Sequence, residues 1–195
     1  MSVRSRAAIA PEFFERPPRE VARDLIGCEL THDGVGGTIV ETEAYEQGEP
    51  ACHAFAGRTR RTEVLFGPPG RAYVYLCYGI HRMFNVVTER DGVAAAVLIR
   101  ALVPERGREE MVSRRGARPS GQLCSGPGRL CEALGIELEQ TRSPVLEAPF
   151  AIAGRDPAAP EPQIIAGPRI GVAKAAELPW RYCMAGSPFL SRPAG

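Results

Sequence analysis

The sequence predicts an α+β fold: one domain built on a curved, mostly antiparallel sheet flanked by helices. Three observations lead there. Alternating or apolar runs of strand length recur at residues 28–31, 40–45, 73–77, 84–88 and 93–103. Several are separated only by tight turn signals (His32-Asp33-Gly34, Gly79, Arg90-Asp91-Gly92), too short to hold crossover helices, so neighbouring strands should pair antiparallel. Finally, 195 residues that are 44% hydrophobic and 24% charged, with no internal repeat, fit one domain with a sizeable core.

The elements follow in order. Residues 1–16 are polar and contain proline, and are expected to form a flexible lead-in to a domain spanning 17–195. Pro17-Pro18 can open a helix whose spacing is carried by Val21, Ala22, Leu25 and Ile26 until Gly27 ends it. A short strand at 28–31 turns at His32-Asp33-Gly34 into the strand that carries Glu43. Residues 46–71 are rich in Gly, Pro and charge without periodicity, which predicts a long ordered loop of functional type. The tyrosine strand, the Gly79 turn and the 84–88 strand come next. The 93–103 run is nearly continuous apolar sequence, as in a central strand, and Arg100 within it needs an acid or a pocket to face. A helix is expected at 105–115, a flexible connection at 116–125 and a helix at 129–134 capped by Gly135. After a Pro/Ala loop at 157–162, strands are expected at 164–172, interrupted by Gly167-Pro168, and at 180–184.

Composition removes several function classes. No run of about 18 apolar residues exists, which excludes a membrane-spanning helix, and residues 1–11 lack the apolar centre of a signal peptide, which places the protein in the cytosol. The six cysteines are scattered without a Cys-x-x-Cys pair and read as buried or free thiols rather than a disulfide frame or zinc site. A net charge of +1 does not advertise nucleic-acid binding. Lys174 is the only lysine, so Schiff-base chemistry would have only that side chain or the terminal amine. The remaining basic residues are arginines, whose planar forks suit phosphate, and Arg58, Arg60 and Arg61 cluster in the long loop.

The chemistry concentrates between Val40 and Asn85. On a strand, Glu41, Glu43 and Tyr45 share one face while Val40, Thr42 and Ala44 share the other. Two carboxylates and a phenol on one face suit a pocket better than a core. Three of the five tyrosines fall between positions 73 and 78, with Tyr45 a fourth. Aromatics beside a candidate general base point to a flat, π-faced ligand held for proton chemistry.

Ordered blocks extend the pattern along the chain: Val40-Glu41-Thr42-Glu43-Ala44-Tyr45, His53-Ala54, Phe66-Gly67-Pro68-Pro69-Gly70, Tyr73-Val74-Tyr75, Tyr78-Gly79, Asn85, and Val97-Leu98-Ile99-Arg100-Ala101. Gly126-Pro127-Gly128-Arg129-Leu130-Cys131, Pro168-Arg169-Ile170-Gly171-Val172 and Gly186-Ser187-Pro188 continue it. Together these blocks, from about residue 19 to 191, resemble the alkyladenine (3-methyladenine) DNA glycosylase family. The resemblance implies excision of alkylated or deaminated purines from duplex DNA by hydrolysis of the N-glycosidic bond, leaving an abasic site, with no metal or organic cofactor. It implies Glu43 as the general base that activates water. Tyr45 and Tyr75 would sandwich the flipped base, with His53 facing them and hydrogen-bonding the nucleotide. Asn85 would obstruct the amino group of normal guanine, Arg100 would orient the base or its neighbours, and Tyr78 would wedge into the stack. The expected partner is damaged duplex DNA, met by a monomer with no membrane role. Two blocks depart from the family pattern: Glu49-Pro50-Ala51-Cys52-His53 replaces Asp-Pro-Ala-Ser-His, and Thr59-Arg60-Arg61-Thr62 replaces Thr-Pro-Arg-Asn.

Two other functions fit parts of the pattern. A non-catalytic nucleic-acid module would use the tyrosines as stacking platforms, although Glu41 and Glu43 would repel phosphate. A hydrolase of free nucleosides would need the same base and stacking groups but no wedge.

Overall fold

The computed structural model describes residues 6–194. Two strands of twelve residues dominate it, β2 (Val35–Glu46) and β5 (Ala95–Arg106), paired antiparallel along nearly their whole lengths. The other edge of β2 is shared: its first half pairs with β1 (Glu29–His32) and its second with β8 (Arg181–Met184). The sheet extends in the order β3 (Ala72–Cys77), β4 (His81–Val87), β5, β2, β1, β6 (Phe150–Ala153), with β7 (Ile164–Gly167) on β8. Every strand pairing is antiparallel.

Register shifts between β2 and β5 at Gly36/Gly37 and on both sides of Glu41 bend these strands and curl the sheet. Glycine is needed at the first of these, because a Cβ on Gly36 would lie 2.0 Å from the Leu30 carbonyl oxygen and one on Gly37 1.9 Å from that of Val103. The β1–β2 hairpin turns through Asp33 and Gly34, both with positive φ, as the turn sequence predicts.

Strict alternation splits the sheet into two faces. Ala72 and Val74, Phe84 and Val86, Val97 and Ile99, and Ala44 point into the main core, and Thr42 on the same face donates to the Ala22 carbonyl. Three helices cover this face: α1 (Pro18–Asp24) against β2 and β5, α4 (Pro127–Leu134) against β4 and β5, and α2 (Arg108–Arg115) against α4. A single helical turn, α3 (Ser120–Leu123), sits in the segment expected to be a plain connection. The loop of residues 47–71, including a 3-10 turn at Glu63–Phe66, folds over the opposite face and packs Cys52, Ala54, Val64, Leu65 and Phe66 against Tyr73, Val87 and Ala96.

Several boundaries differ from expectation. Residues 6–16 are not a loose lead-in: Phe14 is wholly buried in the main core, Ala8 bridges to Ala153, and the Arg6 guanidinium reaches Thr38 and the Gly27 carbonyl. Residues 1–5 of the expected lead-in lie outside the described part. Glu105 and Arg106 continue β5 instead of opening α2, because Gly107, at φ 66°, makes the break. The strand expected over 164–172 stops at Gly167, and β6 carried too short a signal to be foreseen. All six cysteines are free thiols, five of them buried. No helix of the described residues is long and apolar enough to cross a membrane.

Candidate active site

The uncovered strip of the second sheet face carries the polar residues. Tyr73, Asn85, Leu98 and Glu43 lie directly opposite one another across β3, β4, β5 and β2, so four neighbouring strands deliver one row of side chains. Two positions along, Tyr75 stands opposite Met83, and Arg100 and Glu41 follow on β5 and β2. The strip opens into a cleft of about 1060 Å³, large enough for a drug-sized ligand. Tyr45, His53, Tyr75, Tyr78, Asn85 and Arg100 all border it.

Glu43 does not border the cleft. It lies one layer behind, wholly buried, but its surroundings are polar. Its Oε2 accepts the Tyr45 hydroxyl at 2.8 Å and an Arg100 N–H at 3.1 Å, and its Oε1 accepts the Ile170 backbone N–H at 2.7 Å. A carboxylate oxygen accepts about two hydrogen bonds, so Oε2 is filled while Oε1 accepts only the Ile170 N–H, from a residue that itself borders the cleft. A water reaching Oε1 would thus be the one this carboxylate can polarise.

Glu41 has a different character. Its Oε1 takes Arg100 Nε at 3.0 Å, Arg181 Nε at 2.7 Å and the Ser191 hydroxyl at 2.7 Å, while Oε2 takes the Ser191 N–H at 2.6 Å. With four hydrogen bonds on its two oxygens and no exposure, it anchors two arginines and the segment around Ser191. Burial works against the charge of Arg100, but Glu43 and Glu41 more than offset it and hold its pKa above the ordinary value. Arg100 thereby fills both expectations made for it, facing the cleft and bridging two acids.

The aromatic wall is equally constrained. The His53 ring stands edge-on to Tyr75 with centroids 4.5 Å apart, and its Nδ1 is 3.0 Å from the Tyr73 hydroxyl. His53 is exposed at the edge of this wall, yet the protein packed around the rest of its ring and then the Arg61 charge lower its pKa to about 4, so the imidazole is neutral at physiological pH and can both donate and accept. Burial, then the adjoining Glu43 charge and the bond to it, raise the Tyr45 phenol far above its ordinary value, which keeps it a donor. The Asn85 amide gives its N–H groups to the Tyr73 carbonyl at 3.1 Å and the Met83 carbonyl at 3.3 Å, which fixes the side chain against the strand.

Tyr78 stands apart from this packed set. It is 89% exposed at the tip of the β3–β4 hairpin, held at φ 52° beside Gly79 at φ 70°, with Ile80 also 70% exposed. Around the cleft, Arg61, Arg100, Arg115, Arg118, Arg129, Lys174 and Arg192 face a single acid on the lining, Glu132. The net charge of +1 therefore conceals a strongly positive mouth, because the acids are placed elsewhere.

A model of the methylpurine-DNA glycosylase family matches residues 12–188. The chain belongs to that family. It is similar to proteins whose assigned name is 3-methyladenine DNA glycosylase. One from Rhodopseudomonas palustris (strain BisB18) is 55% identical over 93% of this chain and 89% of its own. Another, from Nitrobacter winogradskyi, is 55% identical over 93% and 86%, and one from Nitrosospira multiformis is 52% identical over 92% of each. Within this methylpurine-DNA glycosylase fold the structure adds groups that sequence reasoning passed over. Arg61, read from the sequence only as one of a loop cluster suited to phosphate, lies over the Tyr75 ring at 5.2 Å and interacts with the Tyr73 hydroxyl. Arg169 packs over Tyr45 and Ser191 binds Glu41, and no spacing rule links either to the tyrosine strand. Only the place of Arg169 in the Pro168-Arg169-Ile170-Gly171-Val172 block marked it, and nothing in the sequence marked Ser191.

Proposed function

We propose that this protein flips alkylated or deaminated purines, 3-methyladenine and hypoxanthine among them, out of duplex DNA and hydrolyses the N-glycosidic bond. The observation that carries this is a carboxylate with one vacant acceptor position set behind an aromatic cleft whose mouth is cationic. The mouth attracts phosphates, and the exposed Tyr78 at the hairpin tip fills the gap that an extruded nucleotide leaves. Tyr45 and Tyr75 take the flat base between them, each stacking contact contributing roughly 1–3 kcal/mol. Neutral His53 hydrogen-bonds the nucleotide, and the immobile Asn85 amide obstructs the exocyclic amino group of guanine.

Glu43 acts as general base on a water held at Oε1, which attacks C1′ as the C1′–N bond breaks and the purine departs with the bonding electrons. Arg100 holds the Glu43 carboxylate in place through Oε2. The buried position of Glu43 limits wasteful access of solvent to it. The product is an abasic site, because water, not an amine, attacks C1′.

The test is release of free purine from duplexes containing 3-methyladenine or hypoxanthine. The wild-type protein should release it and leave strands that break only after alkali. Glu43→Gln should bind the same duplexes and release purine only at a small residual rate. Binding without base release by the wild type would favour a non-catalytic module, and faster turnover of free nucleosides than of duplex would favour a nucleoside hydrolase. The projecting Tyr78 and Ile80 speak against the latter, which has no stack to enter.

A further inference from the structure

We propose that the buried Glu49–Arg169 pair is a positioning device for catalysis, which fixes the Tyr45 ring and the Ile170 amide and, through them, the Glu43 carboxylate. The inference rests on the glycosylase reading above and extends it to two residues that touch no substrate.

Neither residue borders the cleft, and their side chains are 0% and 5% exposed for Arg169 and Glu49. They meet as a two-pronged pair, Arg169 Nη1 to Glu49 Oε1 at 2.7 Å and Nη2 to Oε2 at 2.9 Å. The guanidinium carbon lies 4.6 Å from the Tyr45 ring centre and 5.2 Å from that of Trp180, so the cation is packed against both rings. Nη1 also donates to the carbonyl of Ala44, the residue between Glu43 and Tyr45, at 3.0 Å. The next residue along, Ile170, donates the N–H that holds Glu43 Oε1, and Tyr45 donates the hydroxyl that holds Oε2. One guanidinium thus governs two of the three bonds on the carboxylate. Glu49 extends the reach, because its Oε2 accepts the Ala51 N–H at 2.8 Å and its carbonyl the Cys52 N–H at 3.1 Å, which shapes the turn presenting His53.

Stability alone is a weak reason for this arrangement. Buried ion pairs are often no better than packed apolar groups, and Arg169 Nε is buried with no hydrogen-bond partner among the described residues. A device that orients a general base has a different justification, because small misplacements of reacting groups cost large factors in rate.

The experiment compares Glu49→Gln and Arg169→Lys with wild type by thermal melting, by binding to a duplex carrying a non-hydrolysable lesion analogue, and by single-turnover excision. A duplex carrying a cationic methylpurine, whose activated leaving group keeps slow variants measurable, serves as substrate. Each variant that folds should bind within about threefold of wild type yet excise on the order of 10–100-fold more slowly. Combined with Glu43→Gln, the same substitution should slow the residual rate no further, because its effect passes through Glu43. A wild-type rate, an equal loss in the Glu43→Gln background, or failure of both variants to fold would each overturn the proposal. If the wild-type protein itself releases no purine from any lesion duplex, the glycosylase reading fails instead.

Discussion

Tyr45 donates its hydroxyl to Glu43 across 2.8 Å, from the same face of the same strand two residues away. One side chain therefore presents a ring to the cleft and a proton to the carboxylate behind it, so its two contributions should separate by substitution.

Tyr45→Phe keeps the ring and frees one acceptor position on Oε2. A hydrogen bond to a charged group contributes about 1.5–3 kcal/mol, so single-turnover excision should fall roughly 10–100-fold with lesion binding little changed. Tyr45→Ala removes the ring as well and should also weaken binding to the damaged duplex by about 1–3 kcal/mol. Equal binding losses in both variants would show that the hydroxyl, not the ring, holds the base.

Glu41 and Glu43 sit on one strand face, but they should respond differently to loss of charge. Arg100 and Arg181 both lean on Glu41, so Glu41→Gln leaves buried guanidinium groups without their main anion. Removing one partner of such a network costs about 3–5 kcal/mol, which should lower the denaturation midpoint clearly. In Glu43→Gln, Arg100 still has Glu41, and the stability loss should be smaller while activity falls to a small residual rate. Denaturant titration of both variants beside their excision rates checks this contrast.

These contrasts also mark what the chain displayed in its primary structure. Alternation placed Glu41, Glu43 and Tyr45 on one face and Val40, Thr42 and Ala44 on the other. The structure keeps this from Glu41 to Tyr45, but Ile39 rather than Val40 joins the main core, because the bulge beside Glu41 shifts the phase. The antiparallel sheet was legible from its turns, Asp33-Gly34 above all. The depth of Glu43 was not, since it depends on Arg100 and Ile170 arriving from distant segments. Nor was the packing of Phe14, where a proline-rich stretch hid a core residue. Arg169 and Glu49 lie 120 positions apart, and a contact between side chains that remote follows from no local periodicity.

His53 offers a test by pH. Its folded pKa of about 4 lies below the ordinary value of 6.5, so between these limits the unfolded chain holds more protons than the folded one. Stability should then rise with pH across that window, and the contribution should be lost as pH falls from about 6.5 toward 4 and stay constant above it. His53→Gln should flatten this part of the stability profile relative to wild type. A histidine titration near 6.5 assigned to His53 by NMR would contradict a ring held neutral.

Tyr78 sets stability against function most directly. A tyrosine at φ 52° pays a left-handed backbone cost of about 1–2 kcal/mol, and its side chain, 89% exposed, recovers little of it by packing. Tyr78→Gly removes that strain but adds freedom to the unfolded chain, a penalty of about 0.4–1 kcal/mol. The net effect on stability should therefore lie between neutral and about 1 kcal/mol favourable, measured by denaturant titration. Binding to a lesion-containing duplex should weaken all the same, by about 1–3 kcal/mol, as a stacking ring is withdrawn from the helix. Tyr78→Phe, which keeps the ring and the strain, should match wild type in both measurements. A Tyr78→Gly protein that is destabilised but binds damaged DNA normally would mean that the hairpin tip serves the fold and not the duplex.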